Sequence, residues 1–279
     1  MHHRITNENI KMPTIIYGTA WKKEHTAKLV EMALLSGFRG IDTAGQPKHY
    51  QENLVGEGLL NAYEKGIKRE EIYLQTKFTP IDGQDQSNMP YLKEDSLDIQ
   101  IIKSFENSKK NLHTNFIDSY VLHSPIFPAS KLNLAWNIME SFYDKKEVGQ
   151  LGISNCYDLD VLQYIYKNSR IKPSVVQNRF YAQTSYDKEL RKWCKEQGII
   201  YQSFWSLTAN PQLLESDIIN HLAQKYSKTN SQIFYRFLNH IEIVPLIGTT
   251  SQKHMLEDIA IFEFELEKSE IENIVTLLG

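Results

Sequence analysis

The chain has 279 residues, of which 41% are hydrophobic and 23% charged, and its formal net charge is −3. This balance is typical of globular proteins and gives no long-range attraction to nucleic acid or anionic lipid. The first nine residues carry no apolar run, and no later stretch approaches the roughly 18 apolar residues of a membrane span. We therefore expect a cytoplasmic protein that acts on a small molecule, with no nucleic-acid or membrane partner.

The sequence contains two cysteines, Cys156 and Cys194. Two thiols exclude a disulfide framework and a zinc site made of four cysteines. We expect both side chains to be reduced packing residues, and we predict no metal site.

Short apolar, β-branched runs alternate with longer segments of helical period along the chain. This alternation is typical of a parallel sheet wrapped in helices. The predicted strands cover residues 14–17, 39–43, 72–78, 117–123, 150–154, 174–178, 199–204 and 241–247. The sequence therefore predicts an α/β fold, a (β/α)8 TIM barrel that forms a single domain over residues 1–279.

The helical segments carry end signals. The first predicted helix, 24–36, is followed by Gly37, and Gly66, Gly149 and Gly198 stand in the same place before later strands. Two helices are expected within 216–240 and one more over 268–278, while residues 79–95 form the longest predicted loop.

A glycine-rich segment, Gly56-Glu57-Gly58, lies inside the helix predicted to begin near Glu52. A dinucleotide-binding glycine loop directly follows a strand, and no strand stands there. The segment is therefore not interpreted as a phosphate-binding loop.

Polar side chains close most of the predicted strands, and active sites of such barrels lie at the carboxyl ends of the strands. A single polar residue there is more often structural than catalytic. Acids and bases that converge on one rim from distant parts of the sequence suit proton transfer. The converging residues are Asp42, Lys77, His123, Ser154, Asn155, Gln177 and Asn178, with Tyr50 in the loop after the second strand.

Several motifs occur in a recognisable order: KMPTIIYGTAW, GFRGIDTA, YLQTKF, IDSYVLHSP, LGISN and VVQN. Through them the chain resembles the aldo-keto reductase family from Ile10 almost to Gly279. The resemblance implies a barrel enzyme that reduces aldehydes and ketones to alcohols with a nicotinamide cofactor. The catalytic Asp, Tyr, Lys and His of the family fall on Asp42, Tyr50, Lys77 and His123.

Each of the four residues then has an expected role. Tyr50 would protonate the carbonyl oxygen, and the ammonium of Lys77 would lower the tyrosine pKa from its ordinary value near 10. Asp42 would pair with Lys77 and keep it charged. His123 would orient the substrate carbonyl while hydride passes from the nicotinamide.

The same resemblance implies the cofactor and substrate residues. Ser154, Asn155 and Gln177 would hold the nicotinamide carboxamide, and Phe204 would stack on the ring. The diphosphate would meet backbone amides after the seventh and eighth strands. The expected cofactor residues there are Leu207, Gly248, Thr249, Thr250 and Lys253, and the expected walls of the substrate pocket are Trp21 and Trp205.

Two departures from the family pattern leave alternatives open. Counting backwards from Val55 places His49, rather than Tyr50, at the family's usual tyrosine position. Near the eighth strand the chain reads PLIGTT, with Lys253 and His254 near the position of the family's arginine for the 2′-phosphate. NADPH is therefore the predicted cofactor, with NADH as the alternative.

The leading hypothesis is a monomeric, NADPH-dependent reductase of small carbonyl compounds. A second hypothesis is a cofactor-bound sensor or scaffold subunit with little turnover. A third is a barrel enzyme that uses Lys77 to form a Schiff base with its substrate.

Overall fold

A computed structural model describes residues 2–279. An antiparallel hairpin, β1 (His3–Ile5) and β2 (Lys11–Pro13), precedes eight parallel strands that close into a barrel in the order β3 to β10. The barrel strands are β3 (Ile16–Gly18), β4 (Gly40–Asp42), β5 (Tyr73–Phe78), β6 (Ser119–Leu122), β7 (Leu151–Ser154), β8 (Val175–Arg179), β9 (Ile200–Phe204) and β10 (Ile243–Ile247).

Helices surround the barrel on its outside. They are α1 (Thr26–Leu35), α2 (Glu52–Glu64), α3 (Leu97–Asn111), α4 (Ala129–Asp144), α5 (Leu159–Asn168), α6 (Lys188–Glu196), α7 (Pro211–Leu214), α8 (Asp217–Tyr226), α9 (Asn230–His240), α10 (Gln252–Ile259) and α11 (Lys268–Thr276). Within residues 2–279, no helix combines the length and apolar character needed to cross a bilayer.

The predicted barrel is confirmed, and each of its eight strands ends within two residues of its predicted position. The helix pair within 216–240 and the final helix are also present. The amino-terminal hairpin was not predicted, because its strands are only three residues long and carry no clear alternation. Met12 of β2 packs with Ile16, Tyr73 and Val175, which begin three of the barrel strands. The hairpin therefore closes the end of the barrel opposite the strand exits.

Three of the four predicted glycine caps are confirmed, since Gly37, Gly66 and Gly198 all have positive φ. The prediction for Gly149 is wrong. Helix α4 ends before it, and Lys146 takes the left-handed conformation instead, with φ of 58°. A lysine tolerates this position at the modest cost of one left-handed residue.

The glycine-rich segment lies inside α2, as the sequence predicted. A Cβ at Gly56 would stand 2.0 Å from the carbonyl oxygen of Asn111, so this glycine permits close packing of α2 against the end of α3. The segment serves helix packing rather than phosphate binding.

The main core fills the space between barrel and helices. In α1 the side chains of Leu29, Val30, Ala33 and Leu34 are buried, as a single apolar face requires. Burying a large apolar side chain stabilises the fold by about 1.5–3 kcal/mol. Cys156 and Cys194 are also buried, and both thiols are free, as predicted.

Candidate active site

A buried ion pair forms the floor of the site at the strand exits. Asp42 ends β4, and Lys77 lies near the end of β5. The Nζ atom of Lys77 lies 2.7 Å from both carboxylate oxygens of Asp42 and 2.8 Å from the carbonyl oxygen of Thr43. These contacts use all three N–H donors of the ammonium. The two opposite charges are held together with almost no exposure to water.

Glutamine side chains inside the barrel support this pair from below. Gln75 donates to Asp42 at 2.7 Å and Gln177 donates to the same oxygen at 3.1 Å. Both amides also donate to Gln202 Oε1 at 2.8 Å. A carboxylate that accepts several hydrogen bonds has little freedom to rotate, so the position of Lys77 is fixed as well.

Tyr50 lies directly beside the ion pair. Its ring centroid is 5.2 Å from Lys77 Nζ and 6.1 Å from the ring centroid of His123. Tyr50 therefore meets Lys77 and His123 although the loop that carries it is longer than the family pattern.

The pKa of Tyr50 is raised rather than lowered. Burial is the larger cause, and the negative charge of Asp42 adds to it. The expected lowering by Lys77 is not found, because the ammonium is neutralised by Asp42 and directs no N–H donor at the phenol. The phenol consequently keeps its proton at neutral pH and is available as a proton donor.

His49 occupies a different position from its neighbour. Its ring packs against that of Trp21 with centroids 3.7 Å apart and the planes tilted by 36°, and its backbone carbonyl accepts a hydrogen bond from the Trp21 amide at 2.7 Å. The Nδ1 atom is buried and has no partner within residues 2–279. His49 lines the groove as part of a wall with Trp21.

His123 follows β6, and its Nδ1 atom lies 2.6 Å from the hydroxyl oxygen of Thr79. Burial and then the charge of Lys77 lower the pKa of His123 well below its ordinary value, so the ring is neutral. A neutral ring has one N–H. If Thr79 donates to Nδ1, that N–H is on Nε2, where a substrate carbonyl oxygen can accept it.

The two loops that frame these residues are tied to each other. Gln46, in the loop before Tyr50, donates to the carbonyl of Gly83 at 2.5 Å. Gln84 in turn donates to the carbonyl of Gly45 at 2.8 Å. The loop after β5 therefore fixes the loop that presents Tyr50, which explains how a lengthened segment holds one conformation.

A groove of about 650 Å³ runs across the strand exits from Tyr50 and His123 to α10. Most of the residues predicted from the sequence line it. They are Trp21, Asp42, Tyr50, His123, Ser154, Asn155, Gln177, Phe204, Trp205, Leu207, Gly248 and Thr249.

Four of the residues discussed from the sequence lie elsewhere. Lys77 is beneath the groove surface, covered by its contacts to Asp42. Thr250 and Lys253 are not in the lining, and the Lys253 side chain is 80% exposed and 3.6 Å from Glu257. Asn178 points away from the groove and donates to Cys156 and Asp187, both at 2.8 Å.

The groove also contains charged residues that the sequence reasoning missed. Lys22 is buried, and its Nζ donates to the backbone carbonyl of Gly248. Arg179 ends β8, and Glu257 and Asp258 lie in α10 at the far end of the groove. Arg179 was detectable, because it is two residues beyond Gln177 and alternate residues of a strand share a face.

Three groove residues have strained backbones. Trp21, Asn155 and Trp205 have φ of 64°, 51° and 56°. A left-handed conformation costs a residue other than glycine roughly 1–2 kcal/mol, and such strain is concentrated at functional sites. All three follow barrel strands, where the chain turns sharply outward.

These observations define a (β/α)8 barrel with a groove at the strand exits. Residues 14–278 match the Aldo/keto reductase family, so the chain belongs to that family and is an oxidoreductase. The resemblance predicted from the motifs is thereby confirmed.

Individual relatives agree with this assignment. Glyoxal reductase from Bacillus subtilis is 29% identical over 248 residues, which cover 89% of this chain and 82% of the relative. The NADPH-dependent alpha-keto amide reductase of Saccharomyces cerevisiae is 28% identical over 297 residues, covering 97% and 89%.

Solved structures share the same architecture. MGS-M4, an aldo-keto reductase from a Medee basin deep-sea metagenome library, has a TM-score of 0.84 at 27% identity and covers 99% of this chain and 94% of its own. A Bombyx mori aldo-keto reductase in complex with NADP has a TM-score of 0.83 at 23% identity, covering 99% and 92%, and supports the fold.

Proposed function

We propose that this protein reduces aldehydes and ketones to alcohols with a reduced nicotinamide dinucleotide, and that Tyr50 donates the proton. One observation carries the proposal: Tyr50 and His123 meet at one end of the groove above the buried pair of Lys77 and Asp42. This arrangement supplies a proton donor, a neutral hydrogen-bond donor and a fixed electrostatic environment.

The residues along the groove fit the proposed cofactor. Asn155 and Ser154 place polar side chains near His123, fixed by the hydrogen bonds of Asn155 to His123 and of Ser154 to Gln177, and the half-buried ring of Phe204 offers an apolar face. Lys22 supplies a buried positive charge beside Gly248, where backbone without a Cβ leaves room for a phosphate group. These polar side chains, this aromatic ring and this ammonium suit, in that order, the carboxamide, the flat ring and the diphosphate of the cofactor.

When bound, the reduced nicotinamide supplies the hydride. The side chains of this protein do the remaining work. His123 donates a hydrogen bond that orients the carbonyl oxygen toward the phenol of Tyr50. Tyr50 gives its proton to that oxygen, which becomes an alkoxide as the hydride arrives and is a stronger base than a phenolate. Asp42 holds Lys77 in place throughout.

The structure supports Tyr50 over His49 as the donor. The ring of Tyr50 lies close to Lys77 Nζ and to the ring of His123, whereas the ring of His49 packs against Trp21. Burial lowers the pKa of His49, so at neutral pH few of its rings carry the second proton that a general acid would donate.

The resemblance to the family predicts NADPH, but the far end of the groove carries carboxylates. Glu257 and Asp258 line it together with His254. The exposed Lys253 lies outside the groove, and its ammonium is 3.6 Å from Glu257. The carboxylate of Glu257 repels a phosphate monoester, and the oxygens of both side chains can accept hydrogen bonds from ribose hydroxyls. We propose that NADH is used at least as well as NADPH.

The alternatives receive less support from the site. A Schiff base needs a lysine amine that is accessible and deprotonated. Lys77 is fully buried and donates to three acceptors, so its nitrogen is not available to a substrate. A sensor or scaffold would not need Tyr50 and His123 aligned over this pair.

The monomeric state and the cytoplasmic location stay predictions.

The test is a titration with NADH and NADPH followed by cofactor fluorescence, and then by loss of reduced cofactor with a panel of aldehydes and ketones. Tyr50→Phe should reduce kcat by roughly 10²–10⁴, the usual contribution of a general acid, and should leave cofactor affinity unchanged. His49→Phe is the matched control and should retain most of the activity. Absence of cofactor binding would refute the proposal, and full activity of Tyr50→Phe would transfer the role to His49.

A further inference from the structure

Arg179 is a charged residue of the groove that the proposed chemistry does not use. It is the last residue of β8 and lies in the groove lining together with Tyr50, His123 and Gln177. Residues two apart in a strand share a face, so Arg179 stands on the face of Gln177, one step closer to the mouth of the barrel.

Two aromatic rings lie close to the guanidinium. Its carbon atom is 4.2 Å from the ring centroid of Trp205 and 5.3 Å from that of Tyr181. The left-handed backbone of Trp205, with φ of 56°, holds the indole in this place. Contact with aromatic rings attracts a guanidinium without using its N–H groups as hydrogen-bond donors to those rings.

The guanidinium has no ionic partner among residues 2–279. No carboxylate lies within salt-bridge distance of it, and none of its side-chain N–H groups makes a hydrogen bond in this part of the chain. The other charge beneath this end of the groove, Lys77, is neutralised by Asp42. Two cations therefore line the groove without a carboxylate partner in the described part of the chain: Lys22, which donates to the Gly248 carbonyl, and Arg179, whose side-chain donors are unused.

We propose that Arg179 binds a carboxylate on the substrate, so that the preferred substrates are oxo acids. The inference rests on the proposed carbonyl reduction and specifies its substrate class. An arginine edge presents two parallel N–H groups, and a carboxylate accepts both. Trp205 holds that edge in a fixed orientation, which reduces the entropy lost on binding.

The experiment compares two substrates that differ in charge, phenylglyoxylate and its methyl ester. Both present the same aromatic ketone, and only the first is an anion. The wild-type protein should have the higher kcat/KM for phenylglyoxylate. Arg179→Met should lower the ratio of the two kcat/KM values by roughly tenfold to a hundredfold, the range expected for hydrogen bonds to charged groups. Arg179→Lys should recover only part of the ratio, because lysine lacks the paired donors.

A matched control removes an arginine outside the groove. Arg170 is 56% exposed and pairs with Asp144 on the outside of the barrel, so Arg170→Met makes the same change in net charge. The ratio in this variant should equal that of the wild type.

A binding measurement provides a readout that does not depend on turnover. Calorimetric titration of the wild-type protein with phenylacetate should show binding that phenylacetamide lacks, and Arg179→Met should abolish the difference. An unchanged substrate ratio in Arg179→Met would overturn the inference while the reductase activity stood. Equal losses with both substrates, accompanied by weaker NADH binding, would assign Arg179 to the cofactor instead. Failure of the wild type to reduce either compound while phenylacetate still bound would count against the proposed reduction rather than against the anion site.

Discussion

Replacing Asp42 by asparagine would leave the ammonium of Lys77 buried without its counter-charge. In the wild type both carboxylate oxygens lie 2.7 Å from Nζ, and neither side chain has appreciable contact with solvent. Asparagine keeps the size of the side chain and one acceptor but removes the charge. Breaking a buried ion pair on one side costs about 3–5 kcal/mol of folding free energy.

This cost is measurable by thermal unfolding. The entropy of unfolding is about 2.1 cal/mol/K per residue, which for a chain of 279 residues gives roughly 0.6 kcal/mol per degree. The expected decrease in Tm is therefore about 5–8 °C, measured by circular dichroism at neutral pH. Adding Lys77→Met to Asp42→Asn should recover part of the loss, because the unpaired charge is then removed.

A surface pair provides the control. Asp144 and Arg170 form an ion pair in which both side chains are 56% exposed. Asp144→Asn removes the same charge as Asp42→Asn, yet solvent screens it, so the effect should stay below about 1 kcal/mol. If the two variants lowered Tm by similar amounts, the buried pair would not contribute in the way proposed.

Two further predictions concern groups that the structure identified. Thr79→Val removes the hydroxyl 2.6 Å from His123 Nδ1, so kcat should fall roughly fivefold, as expected for one hydrogen bond, while Thr79→Ser should retain wild-type activity in the same assay. Burial raises the pKa of Asp258 to about 7, so the folded protein binds this proton more tightly than the unfolded chain and loses stability as pH rises from about 4 to about 7. Asp258→Asn should accordingly have a higher Tm than the wild type near pH 8, and its advantage should shrink toward pH 5. An advantage that is the same at both pH values would contradict this titration.

The order of the strands and most of the groove lining could be predicted from the sequence. Strand positions follow from short apolar runs between helical segments, and a closed parallel barrel brings every strand exit to one rim. Asp42, Lys77, His123 and Ser154 close their strands, so their convergence required no knowledge of the loops.

Residues in loops were less predictable. Position along the chain could not distinguish Tyr50 from His49, because the loop is longer than the family pattern. Which of the two side chains lies beside Lys77 depends on the conformation of this loop, which hydrogen bonds of Gln46 and Gln84 tie to a loop more than 35 residues away in the chain. Thr250 and Lys253 lie outside the groove for a related reason, since the turn into α10 directs them away from it.

The barrel, the family and the set of strand-end residues were predictable from the sequence, because these depend on periodicity and on local motifs. Only the tertiary structure showed that the donors of Lys77 are fully used, that Asp258 is buried at the far end of the groove, and that Arg179 stacks on Trp205 without an ionic partner among the described residues. The burial of a side chain and the neutralisation of its charge depend on neighbours that come from distant segments of the chain. The closed barrel brings those neighbours together, and no local pattern in the chain records them.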